Sequence, residues 1–110
     1  MIRETIETIE DRLRGAHTVD ADRRRELLGL VRRLKTEVED LSTTRAEHAE
    51  SIAGFADVSS REAIREEGDP QLLQLAVQGL RRSAREFETT HPKLTETVNT
   101  ICSTLSNLGI

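Results

Sequence analysis

Large aromatic side chains are almost missing. The 110 residues include no Trp, no Tyr and only two Phe, Phe55 and Phe87. Rings bury the most area per residue, so a thick core normally draws on them. Without them, thin helix seams built from Leu, Ile, Val and Ala are favoured over a sandwich or an α/β core. Cysteine occurs once, at Cys102. That excludes an intrachain disulfide and suits a reducing compartment. No window approaches the ~20 apolar residues of a membrane span. Residues 1–13 lack the continuous apolar run of a secretion signal. The expectation is a cytoplasmic protein with no membrane contact, and Met1 and the ending at Gly109 are read as the ends of a whole protein.

What is present is charge at helical spacing. Charged residues make up 33 % and hydrophobic residues 35 %, for a formal net charge of -4. Residues 45–70 hold three Arg against seven acids, about -4 by count, and nothing in this balance asks for a polyanionic partner. Ile2, Ile6, Ile9 and Leu13 step by four, three and four, which lines them along one helical stripe. Arg3 with Glu7 and Glu10 with Arg14 form i,i+4 pairs on the other faces. Gly15 ends the pattern, so the first helix is expected over about 2–14.

Asp20 fits an N-cap for a second helix, with Asp22 in its first turn. Leu27, Val31, Leu34, Val38 and Leu41 continue in four-three steps. The same register reaches Arg45 and His48, then resumes at Ile52 and Phe55. Beside that gap runs a stripe of small residues: Ala46, Ala49, Ala53, Ala56, Ser60 and Ala63. Small seam residues let helix backbones approach closely. These patterns predict one long central helix over about 21–66, roughly 70 Å at 1.5 Å per residue. A break near 54–60, where Gly54 lies, is the alternative. Glu67-Gly68-Asp69-Pro70 reads as a helix stop, an N-cap and a helix start. A third helix (70–88) carries Leu73, Val77, Leu80, Ala84 and Phe87, with Leu72, Leu75 and Ala76 widening its face. His91-Pro92 opens a fourth (92–108) with Leu94, Val98, Ile101, Leu105 and Leu108. Gly109 and Ile110 resemble a Schellman stop. The predicted fold is all-α: an elongated helical hairpin or bundle with coiled-coil-like seams.

Chemistry-bearing patterns are few. His17, His48 and His91 are not at i,i+3 or i,i+4 from one another, and they do not supply the Glu-x-x-His spacing on two helices that a di-iron helical site requires. No metal, cofactor or catalytic residue is assigned. His48 is read as a polar residue setting seam register, and Cys102 as a small buried hydrophobe. Arg23-Arg24-Arg25, Arg32-Arg33 and Arg81-Arg82 point in different directions around their helices and have no aromatics interleaved. Nucleic acid is therefore not the expected partner. Phosphate-cradling loops and a Ser/His/Asp or Cys/His grouping in motif context are absent from the sequence.

A long helix has more seam than three shorter ones cover. The residues expected to meet a second copy are Ala46, Ala49, Ile52, Ala53, Phe55 and Ala56. The expected state is a homo-oligomer, most simply a two-fold dimer, with an unidentified protein partner as a further option.

The stretch Glu50-Ser51-Ile52-Ala53-Gly54-Phe55-Ala56, the run His91-Pro92-Lys93-Leu94, Val98-Asn99 and the ending from Leu105 to Ile110 resemble a family of short bacterial proteins, domain-of-unknown-function family 4404. The opening Met1-Ile2-Arg3-Glu4-Thr5-Ile6 is similar too. The resemblance implies a small helical protein and carries over no site residue. A structural or protein-interaction module that is not an enzyme is the expected function. A nucleic-acid-associated protein is the first rival, requiring the arginines to converge on one face. A small helical enzyme or metal carrier is the second.

Overall fold

A computed structural model describes residues 1–108. It contains five helices: α1 (Ile2–Arg14), α2 (Ala21–Ser42), α3 (Ala46–Ile64), α4 (Pro70–Arg85) and α5 (Pro92–Leu108). No strand occurs among the described residues. The predicted stop at Gly109 and Ile110 lies outside them.

Several helix ends follow from local chemistry. The Asp20 carboxylate accepts the Arg23 amide at 2.9 Å and caps α2. Asp69 accepts the amides of Gln71 (2.9 Å) and Leu72 (3.4 Å), and Pro70 occupies the first turn of α4. Gly68 does not use a left-handed conformation, since no described glycine has positive φ. Space is tight there instead: a Cβ would lie 3.1 Å from the Glu62 carbonyl oxygen and 3.5 Å from that of Arg65. Likewise α4 ends at Arg85, short of the expected 88, although Phe87 beyond it is buried.

The expected long helix over 21–66 is two helices. Its break falls at residues 43–45, not near Gly54, where α3 is continuous. Three consecutive hydroxyls explain it. Ser42 donates to the Glu39 carbonyl at 2.6 Å, Thr43 to Asp40 at 2.8 Å and Thr44 to Leu41 at 3.5 Å. Such back-bonding competes with helix propagation. Arg45 then leaves helical geometry at φ -135° and ψ 63°.

The break lets α3 fold back, and the molecule measures 37 × 24 × 21 Å. Helix packing closes a ring in the order α1, α2, α5, α4, α3 and back to α1, while α3 also touches α2 and α5. Helix α3 thus contacts all four others, which explains its small residues: close neighbours leave no room for Leu. The core joins Ile6, Ile9 and Leu13 to the α2 seam, to Ile52 and to the predicted seams of α4 and α5. At ~25 cal/mol per Å² of apolar area, each fully buried Leu or Ile contributes about 2–3 kcal/mol.

Charged groups fasten α1 to its two neighbours. Arg3 reaches Glu39 of α2 through two bonds of 3.3 and 3.0 Å. These hydrogen bonds hold the Glu39 carboxyl below its ordinary range. Glu10, expected on an outer face, is buried, with Lys35 at 3.2 Å and Arg32 at 3.7 Å from α2, and Arg14 at 4.0 Å. Arg12 meets the Asp57 carboxylate of α3 at 2.8 Å and also donates to Ser60 Oγ at 2.9 Å.

Candidate functional site

The small-residue stripe is largely occupied within the chain. Ala49, Ile52, Ala53 and Ala56 are buried and belong to the common core. Ala56 and Ser60 line a small gap with Ile9 and Leu13 of α1, Leu27, Val31 and Leu34 of α2, and Ile101 and Leu105 of α5. Of the six residues expected to meet a second copy, only Ala46 and Phe55 reach the surface. The expectation assumed an uncovered long seam; the break at 43–45 covers most of it.

The surface that remains apolar lies beside Phe55, on α3 and α4. The loop of residues 65–69 turns the chain so that the two helices run antiparallel, and the Phe55 ring packs against Gly79. A Cβ on Gly79 would sit 2.4 Å from that ring. Phe55 remains 41 % exposed, Val58 39 %, Leu72 47 % and Leu75 64 %. Apart from Met1, these are the only large hydrophobic side chains exposed among the described residues. Val58 is nearly one turn beyond Phe55 on α3, and Leu75 and Leu72 lie in the same direction along α4 from Gly79. All four therefore share one face. Gln71, Gln74 and Gln78 extend it, and a shallow groove runs over Pro70, Gln71, Gln74, Leu75 and Gln78. Residues 70–80 include no charged side chain in a protein that is one-third charged.

Leu72 and Leu75 were expected only to widen the core-facing side of α4. Of the three residues so read, Ala76 is buried and the two leucines face outward. The charge-free run of 70–80 is the sequence feature that distinguishes them.

A family model described as "Domain of unknown function (DUF4404)" matches residues 2–110. The chain belongs to this family. No curated protein matches it, and no solved structure does.

Elsewhere in this DUF4404 chain, two of the three histidines singled out from sequence meet at one aromatic ring. His48 places its Nε2 3.4 Å from Glu86 and its ring edge-on to Phe87, with centroids 5.5 Å apart. Arg45 stacks over the same Phe87 ring at 5.4 Å, and His91 meets it from another side at 6.0 Å. These contacts join the α2–α3 break to the α4–α5 junction. His17 is exposed in the α1–α2 loop. No group of three metal-ligating side chains occurs among the described residues. The arginine clusters are divided: Arg24 donates to the carbonyls of Ala16 and Val19, Arg25 pairs with Asp22, Arg32 with Glu10, and Arg81 donates to Ser103. A cleft of about 450 Å³ between α2 and α5 is open and mixed in charge, with Arg33, Glu37, Lys93 and Glu96 on its walls. No described helix is long and apolar enough to cross a membrane.

Proposed function

We propose that this protein is an interaction module that acts by binding another protein surface through the α3–α4 face, without catalytic chemistry of its own. The observation that carries the proposal is the grouping of Phe55, Val58, Leu72 and Leu75 on a charge-free stretch. Interface centres lose charged residues and gain aromatic and aliphatic anchors relative to the remaining surface. Contiguous apolar patches on otherwise polar proteins mark contact sites. Burial of the Ala stripe moves the expected contact from the middle of α3 to its outer edge and α4.

The test places a photo-crosslinking residue at position 75, or at position 96 beside the α2–α5 cleft, in the cell that makes the protein. Position 75 should give a discrete adduct, and position 96 should not. No adduct at 75, or equal adducts at both positions, overturns the proposal.

A further inference from the structure

We infer that the occupant of the α3–α4 face is a second copy of this chain, packed with α4 antiparallel to α4 about a two-fold axis near Leu75; this rests on the interaction reading above and names its partner. The argument comes from how charge is distributed along α4. At its N-terminal end Glu66, Glu67 and Asp69 are exposed, and none has an ion-pair partner among the described residues, although one oxygen of Asp69 is engaged in capping α4. Arg65, the cation beside them, is held 3.0 Å from Glu62. At the other end Arg82 and Arg85 are exposed and likewise unpaired among the described residues. Glu86, the acid next to them, is held by Arg45 and His48 at 3.4 Å each. Glu88 lies beyond the helix. One end of α4 therefore presents uncommitted negative charge, the other uncommitted positive charge, and residues 70–80 between them have none.

This arrangement is self-complementary in one orientation only. Parallel copies oppose like charges at both ends. Antiparallel copies oppose unlike charges at both ends, as an isologous contact requires. The spacing is also nearly symmetric. Asp69 lies six residues before Leu75 and Arg82 seven residues after it, about 9 Å and about 10 Å at 1.5 Å per residue. An axis near Leu75 brings Asp69 opposite Arg82 of the partner subunit and Glu66 opposite Arg85 of the partner subunit. The same register brings Leu72 opposite Gly79 of the partner subunit, where the Phe55 ring fills the place of the missing side chain and offers its exposed part as an apolar contact. A stable interface needs about 800 Å² from each partner. The leucines alone do not supply this, so the neutral Gln71, Gln74 and Gln78 are covered with them, at no cost of burying unpaired charge.

The experiment measures the mass of the full-length protein by light scattering and sedimentation across the micromolar range. The wild type should be a dimer, and Leu75→Glu should weaken association by well over about ten-fold while leaving the circular dichroism unchanged. Two charge variants test the register: Glu66→Arg with Glu67→Arg, and Arg82→Glu with Arg85→Glu. Each alone should dimerise about ten-fold more weakly than the wild type, and an equimolar mixture should recover association as a heterodimer. A monomeric wild type throughout the range overturns the inference, as does a mixture no tighter than its components. A monomeric wild type that still gives a discrete adduct at position 75 leaves the interaction proposal standing with a different partner. A dimer indifferent to Leu75→Glu overturns this inference and moves self-association to another face.

Discussion

The thiol of Cys102 is fully buried, 3.5 Å from the Val77 carbonyl, and burial pushes it up to about 11 against the opposing pull of Arg81. A small apolar residue next to Ile101 was the expectation, and its environment agrees. Native protein should react with a thiol-specific reagent only at the rate of unfolding, and at once in denaturant; rapid native labelling would contradict the burial. The same shift has a pH consequence. The unfolded thiol ionises near its ordinary value of 9.0, while the folded one keeps its proton to about 11. Above pH 9 the unfolded state therefore binds fewer protons, and stability falls as pH rises through that window, by ~2–3 kcal/mol at most. Cys102→Ala should flatten this alkaline limb in denaturant titrations at matched pH. Gly54 behaves differently from its neighbours. It lies exposed within continuous α3, and a Cβ there would touch nothing within 4 Å. Gly54→Ala should stabilise the fold by roughly 0.5–1 kcal/mol, read as a rise of a few degrees in Tm. A fall would mean that the position needs glycine.

Among the elements, α1 and α5 were the most legible, because their apolar residues hold one register and Gly15 and Pro92 mark their bounds, while α4 begins at Pro70 as expected but ends three residues early. The α2–α3 boundary was hidden. It carries neither Gly nor Pro, and hydroxyl back-bonding by Ser42, Thr43 and Thr44 is a weak pattern in sequence. Its visible trace was the polar interruption at Arg45 and His48, readable equally as a seam with a polar insert. The error propagated to the site: a continuous helix leaves Ala49, Ala53 and Ala56 without neighbours, whereas a folded-back α3 buries them. Ala53→Glu discriminates the two pictures. In an intermolecular seam it would separate copies that stay folded. In the core it forces a carboxylate among apolar side chains, at a cost above ~3 kcal/mol. Circular dichroism should show lost helix or a much lower Tm. A fully folded variant of unchanged stability would contradict the buried position.

At the scale of the whole molecule, the all-helical class followed from stripe spacing alone, while the overall shape did not. A 70 Å rod and a body 37 Å long share the same seams and differ only at residues 43–45. The ring order of the helices was equally unreadable, because every stripe is apolar and none names its neighbour. Charge carried part of that information. Glu10, Arg12 and Arg3 each select a particular partner helix, but an outer-face i,i+4 pairing satisfied Glu10 as well on paper.

The fastenings of α1 make ionic strength a handle on one helix. All three of its charged cross-helix anchors are ion pairs, and it packs against only α2 and α3. Salt shortens the reach of the exposed Arg3–Glu39 pair, from about 10 Å at 0.1 M to about 3 Å at 1 M, and acts less on the more buried Glu10 and Arg12 pairs, while it leaves apolar packing intact or strengthens it. Amide protons of α1 should therefore exchange faster as sodium chloride rises, with those of α5 unchanged or slowed. Uniform behaviour along the chain would show that α1 opens only with global unfolding. Where exchange is selective, Ile6, Ile9 and Leu13 come away together, and the chain has a partly open state whose population is set by the medium rather than by a ligand.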